Sequence, residues 1–529
     1  MKNMNRSREQ GKRWCRAFSR CGLVLCLLLV WNMEMLAGGK WYRAEDWGVK
    51  PDSKVVQTER IQRMIDDVSA EGGGIVRFAA GEYVTGCIEL KSGVTLHLER
   101  GAVLLGSTNP DDYRPQHLPG EPASPNAHDN SALALVVANG AHDIGVTGQG
   151  TIDGRGLELA LNIDSLHHKG VRIDPKYNNR RHRPNETARP KLFRLSHADG
   201  VTLTDVTLRN SACWGVTLEL CRNVVMDNLT VVNRAYWNND GLDITDCRNV
   251  RITRCDINAA DDGICLKSYY PGHANDSIYI ADCRICSSAS AVKFGTASHG
   301  GFRNVTIDNI EVYDTFRSAI AIETVDGGGL ENVRVTRVQA RNTGNPLFIR
   351  LGHRAGEKPG YLRNIYIGQM KVEVPFGRPD EDYDLRGPAV TFFHNPIPSS
   401  VTGIPGSQVE NVVIEDVEIR YPGRATKGMA YVPLWRLDAV PEAVEEYPEF
   451  SMFGELPSWG FYVRHVKGIT FRNVKLQLVA DDYRPAFVLD DVEDVTLEGL
   501  QLPSRKGQIV VRGVKGLQVP EGMEVMQGE

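Results

Sequence analysis

A three-residue signature recurs at a nearly fixed interval, and this periodicity restricts the fold more than any other property of the chain. It reads Arg222-Asn223-Val224, Arg248-Asn249-Val250, Arg303-Asn304-Val305, Glu331-Asn332-Val333, Arg363-Asn364-Ile365 and Glu410-Asn411-Val412. Weaker copies stand at Asp276-Ser277-Ile278, Lys467-Gly468-Ile469 and Glu493-Asp494-Val495. From Asn223 through Asn249, Ser277 and Asn304 to Asn332 the steps are 26, 28, 27 and 28 residues. Each copy leads into Val and Ile at period two, the pattern of a turn followed by a half-buried strand. Leucine-rich repeats have a similar length but need a Leu-x-x-Leu-x-Leu frame, which is absent. An all-β solenoid of stacked coils, a parallel β-helix, is the architecture left, and it accommodates 529 residues as one body that grows by repeats. The repeated asparagines are structural on this reading: Asn tolerates left-handed backbone, and stacked Asn side chains form hydrogen-bonded ladders.

The two ends and two interruptions complete the organisation. Ile61, Met64, Ile65 and Val68 recur at helical spacing before Gly72-Gly73-Gly74, predicting a short N-terminal helix that caps the open end of the core, followed by strands at 75–78, 83–84 and 94–98. The cap and first coils are placed in 38–130 and the body of the helix in 131–529, with loop insertions near 375–408 and 422–465. The first insertion contains Phe392-Phe393-His394-Asn395-Pro396. The second carries Tyr431, Trp435, Tyr447, Phe450, Phe453, Trp459, Phe461 and Tyr462, which either stack on sugar or pack the insertion onto the coils.

Residues 1–37 join a basic head (Lys2 to Arg20) to the apolar run Cys21 to Trp31, which is too short to span a bilayer and reads as a secretory signal; a single membrane anchor is the other reading. A secreted protein, periplasmic or extracellular and monomeric, with no membrane span after cleavage, is therefore expected. Losing that segment removes seven basic and two acidic side chains and leaves 54 basic against 64 acidic ones. An acidic protein of this kind lacks the basic field that nucleic acid requires. Eight cysteines remain, and the pairs Cys221/Cys247 and Cys255/Cys283 fall 26 and 28 residues apart. This spacing predicts stacked buried thiols rather than disulfides, and Cys283-x-x-Cys286 has no second half to make a zinc site.

The chemistry-bearing stretch is Asn238-Asn239-Asp240-Gly241-Leu242-Asp243, followed nearly one coil later by Asp261-Asp262-Gly263. Asp240, Asp261 and Asp262 then reach one rim of adjacent coils, roughly 5 Å apart along the axis. Crowded carboxyls raise at least one pKa, which sets a protonated acid beside an ionised base, as glycosidic hydrolysis requires. Asp243 and Asp246 are expected to cap turns instead.

At these residues the sequence resembles the polygalacturonase family, glycoside hydrolase family 28, over nearly the whole chain after the signal. The resemblance implies a right-handed parallel β-helix and an inverting hydrolase for pectin-type or related acidic polysaccharides or oligosaccharides, without cofactor or metal. It implies Asp261 as general acid, with Asp240 and Asp262 holding and deprotonating the water. Two family motifs are altered. Ala289 stands where a histidine is expected, and Arg317-Ser318-Ala319 keeps the Arg but loses the Lys of an Arg-x-Lys clamp for a substrate carboxylate, so the substrate is expected to differ from plain galacturonan. Asn238, Lys267, Lys293, His299 and Arg317 are the candidates for binding substrate; Glu323 and Asp326 lie nearby, and the basic segment 176–194 is a source of positive field. The long insertions suggest action at chain ends. A calcium-dependent polysaccharide lyase and a non-catalytic glycan-binding solenoid are the alternatives.

Overall fold

The structure, a computed structural model, describes residues 39–116, 130–380 and 397–529; the basic and apolar leader and the 392–396 stretch lie outside the described residues. Successive strands stack in parallel, each pairing with its equivalent one coil away. One column of the core runs Val224, Val250, Ile278, Val305, Val333, Ile365, Val412, Ile469 and Val495 in strict register. A second runs Phe193, Val216, Leu242, Ile264, Val292, Ile320 and Leu347. All of these side chains are buried. The period-two Val and Ile of each repeat thus form the inner wall of a parallel β-helix, where β-branched side chains pack well on the pleat. Among the described residues, no helix is long and apolar enough to cross a membrane.

The asparagines take up the left-handed turns: Asn223, Asn249, Asn304, Asn332, Asn364 and Asn411 all have φ between 55° and 59°. Asn249 Nδ2 donates to Asn223 Oδ1 at 2.7 Å, Asn332 to Asn304 at 3.2 Å, Asn364 to Asn332 at 3.1 Å and Asn411 to Asn364 at 3.2 Å. Where Ser277 interrupts the ladder, Asn304 donates to Asp276 instead (2.9 Å).

The predicted cap is helix α1 (Thr58–Ala70), whose Ile61, Met64, Ile65 and Val68 are fully buried against the first coils. A second helix, α2 (Gly156–His168), has no counterpart in the sequence reading. Its leucines alternate at 157, 159 and 161, which reads as a strand, and no side chain caps its N-terminus. The eight cysteines from Cys87 onward are free thiols, seven of them buried, so the stacked-thiol reading holds over a disulfide framework.

The strand Ser399–Thr402 lies within the 375–408 interruption and pairs with Phe348–Arg350 on one side and Phe461–Arg464 on the other, so part of that stretch is a coil of its own. The 422–465 insertion lies across the outside of the late coils. Leu437, Val440, Phe450, Phe453 and Leu456 form a second core with Ala321, Phe348, Tyr462, Val488 and Val510. Phe450, Phe453, Trp459, Phe461 and Tyr462 are therefore packing residues, whereas Tyr431, Trp435 and Tyr447 stay exposed. Three buried groups pin the insertion. Arg350 donates to the carbonyls of Glu442 (2.8 Å) and Ala443 (2.9 Å), Arg464 donates to that of Val440 (2.9 Å), and His465 lies between Glu442 (3.0 Å) and Asp491 (2.6 Å).

Candidate active site

Asp240-Gly241 and Asp262-Gly263 occupy the same corner of consecutive coils. Gly215 N donates to Asp240 O, Gly241 N to Asp262 O and Gly263 N to Ser290 O, each at 2.9 Å. Both glycines are required by close approach: a Cβ on Gly241 would lie 2.4 Å from Gly263 O, and one on Gly263 would lie 2.5 Å from Ile285 Cγ2. Asn239 fixes the corner from inside, donating to Ser211 O (2.9 Å) and Cys213 O (2.6 Å) and accepting from Tyr236 N (2.5 Å). The carboxylates of Asp240 and Asp262 are brought within 4.8 Å of each other. Asp261 precedes Asp262, accepts its backbone N–H at 3.1 Å and is the one member of the three with appreciable exposure.

The three acids are electrostatically distinct. Burial, then the neighbouring Asp262, pushes Asp261 up to about 6. Asp262 is more deeply buried, but Lys293, Lys267 and Arg317 overcome that burial, with help from the Ser290 N–H, and hold it below the usual carboxylate range. Asp240 is driven well up by burial and by Asp243, although Lys267 touches it at 3.1 Å. Lys267 is shared: its ammonium also contacts Asp243 and lies 4.4 Å from the Trp214 ring, whose other neighbour is Lys191 at 4.7 Å. Asp240 Oδ1 is buried and, among the described residues, accepts no hydrogen bond.

Lys293 stands 3.4 Å from Asp262 and donates to the Tyr447 hydroxyl at 3.1 Å. Arg317 is held by its backbone N–H to Ala289 O (2.9 Å) and pairs with Glu449 at 2.5 Å. Ala319 packs in the inner core, and the ammonium groups that approach the carboxyls come from Lys267 and Lys293 on preceding coils. Glu323, one coil beyond, is pushed up to about 8 by burial, against Lys293.

Of the candidates named from sequence, the structure gathers Asp240, Asp261, Asp262, Lys267, Lys293 and Arg317. Asn238 lies beside them, but its Oδ1 already accepts from Arg189 at 3.1 Å and more weakly from Arg183 at 3.5 Å. His299 faces Asp326 at 3.8 Å, and among the described residues no hydrogen bond or ion pair joins it to the three acids. Asp326 in turn binds Arg354 at 2.8 Å. Asp246 does cap a turn, accepting from the N–H groups of Tyr269 and Tyr270 at 2.7 and 3.0 Å, whereas Asp243 sits in a strand and belongs to the Lys267 cluster. In the basic segment Arg183, Arg189, Lys191 and Arg194 turn inward onto Glu186 and Glu219, leaving Arg180 and Arg181 exposed. Glu449 has no counterpart in the sequence reading, which named Tyr447 only among the aromatics of the insertion; both come from that insertion, outside any repeat register.

Asp240, Asp262 and Cys265 lie close enough to share a cation, but their chemistry does not fit one. Ammonium groups already neutralise the two carboxyls, and burial keeps the Cys265 thiol protonated.

The sequence model of Glycosyl hydrolases family 28 matches residues 104–362, the stretch that contains Asp240, Asp261 and Asp262. This part of the chain is similar to that family. A probable polygalacturonase from Vitis vinifera is 26% identical over 335 residues, covering 62% of this chain and 60% of that protein. A polygalacturonase from Ralstonia nicotianae is 25% identical over 334 residues, covering 56% and 62%. The chain thus spans about 60% of the length of these curated relatives. The family 28 exopolygalacturonase of Yersinia enterocolitica has the same fold, with a TM-score of 0.60 at 19% identity over 91% of this chain and 78% of that one. The likeness to this family 28 structure extends to the β-helix fold. Tyr447 and Glu449, which meet Lys293 and Arg317, lie in the 422–465 insertion, beyond the matched residues.

Proposed function

We propose that the protein is an inverting glycoside hydrolase that cleaves glycosidic bonds in pectin-type polysaccharide from chain ends. The observation that carries this reading is the split between adjacent carboxyls: Asp261, raised to about 6, holds a proton in mildly acidic solution, while Asp262 is ionised. Asp261 donates its proton to the leaving glycosidic oxygen. A water oxygen attacks the anomeric carbon from the opposite face, the bond to the leaving oxygen breaks, and Asp262 takes the water's proton. Asp240 accepts a hydrogen bond from the same water through its free Oδ1, with Lys267 fixing its other oxygen. No cation is needed for this sequence of steps.

Action at chain ends is supported by the insertion, which sets Tyr447 and Glu449 against Lys293 and Arg317 and so raises a wall beside the acids. The relatives' names, polygalacturonases, support the pectic class of substrate.

The test is product analysis on pectic oligosaccharides with and without chelator, the anomer being followed by NMR. Saturated sugars of inverted configuration, released equally well in chelator, are expected; unsaturated ends that vanish with chelator would replace hydrolysis by elimination. Activity should fall as pH rises through about 6, because Asp261 then loses the proton it must donate.

A further inference from the structure

We propose that the sugar unit seated against Asp261 and Arg317 is a neutral one, a hexose, deoxyhexose or pentose rather than a uronate, and that Glu449 enforces this choice; the inference rests on the hydrolase reading above. A uronate is recognised through a cation whose charge is not already taken. Each base at the cluster has its counter-ion within the protein: Lys267 has Asp240 and Asp243, Lys293 has Asp262, and Arg317 has Glu449. Arg354, one coil further, has Asp326. With Asp261 carrying its proton and Asp240 driven up by burial, the carboxylates Asp243, Asp262 and Glu449 already match the bases Lys267, Lys293 and Arg317. A sugar carboxylate would bring a negative charge to a site with no uncompensated cation to receive it.

The position of Glu449 sharpens the point. Its Oε2 lies 2.5 Å from Arg317 Nη1 and fills the seat in which a ligand carboxylate would meet the guanidinium. It is not a stray surface group. The pair is mostly buried, with 13% and 19% of the two side chains exposed, and Pro448 and Phe450 on either side are buried. Its segment is pinned by Arg350, Arg464 and His465. An Arg–Glu pair offers donors and acceptors together, which suits sugar hydroxyls, since each hydroxyl both donates and accepts. The Tyr447 hydroxyl beside Lys293 adds another such group.

The experiment compares trigalacturonate with its carboxyl-reduced form, which has the same linkages but no charge, and with neutral arabino-, galacto- and rhamnose-terminated pectic oligosaccharides. For the native chain, kcat/KM on the best neutral oligosaccharide should exceed that on trigalacturonate by about tenfold or more, and Glu449→Gln should shrink the gap about tenfold by vacating the charge. Glu449→Ala should do the same, and circular dichroism would check that both variants fold. Trigalacturonate as the better substrate would overturn the inference. So would a neutral preference that neither variant moves. Release abolished by Asp261→Asn shows that the hydrolase reading stands whichever way the preference falls. No release from any oligosaccharide would overturn that reading, and this inference with it.

Discussion

The outward faces of the middle and late coils are continuous, yet they hold opposite chemistry. One register column runs from Thr217 through Asp243, Cys265, Lys293 and Ala321 to Phe348, Ser400, Tyr462, Val488 and Val510. Up to Lys293 it is polar and belongs to the acid cluster; from Ala321 onward it is largely apolar and lies beneath the insertion. The strand geometry is the same in both regions. What differs is the cover: where chain lies over the strands the column is hydrophobic, and where it does not, buried charges pair with one another. The insertion also supplies Tyr447 and Glu449 at the boundary, so the apolar region fixes the edge of the polar one.

The largest expected effect isolates the polar region. Asp261→Asn should lower kcat by about 10³-fold, because general acid catalysis is lost, while the thermal midpoint stays near that of the native chain. A large fall in stability instead would mean that the acids hold the coils together. Next comes the apolar region: Phe453→Ala, removing a buried ring that lies 6.4 Å from Tyr462 and 5.2 Å from the Arg350 guanidinium, should cost about 3 kcal/mol by urea denaturation. Because the insertion carries Tyr447 and Glu449, KM should rise as well; an unchanged KM would separate the two regions.

Glu323 tests the boundary through pH. Its carboxyl titrates near 8 when folded against about 4.5 when unfolded, so the folded chain holds a proton that the unfolded chain has released. Stability is therefore lost as pH rises from the lower value to the upper, and Glu323→Gln should recover on the order of 2 kcal/mol above pH 8 and nothing below pH 4. Thermal melts at the two pH values would show it. The smallest effect concerns the ladder. Asn332→Ala places a Cβ residue at φ 58° and removes the bonds to Asn304 and Asn364, which should cost about 1–2 kcal/mol, with Asn332→Gly recovering the backbone part.

Most of the coil was readable because its signals are local and repeated. Val305 and Val333 face the same way for the same reason, and Asn304 and Asn332 mark the same left-handed turn. The Asp240 and Asp262 corners were readable too, since each is tied to a glycine that the stack requires. Helix α2 was not readable, because alternating Leu157, Leu159 and Leu161 imitate a strand. Asp243 was misread as a cap because an aspartate in a strand and one in a turn look alike until the partner is known, and that partner, Lys267, lies one coil on. Tyr447 and Glu449 lie more than a hundred residues beyond the acids, and their place is set by how an irregular segment docks.

The equivalence of the two Asp-Gly corners bears on how such a site can arise. Asp240 and Asp262 are the same position of two consecutive turns, with their carboxylates within 4.8 Å. Tandem duplication of a single coil bearing Asp-Gly at its corner delivers both carboxylates in one copying event, already aligned. In such a copy the geometry comes ready made, and the twins are unlike only through their surroundings: Lys293 and Lys267 hold Asp262 down, whereas burial and Asp243 drive Asp240 up.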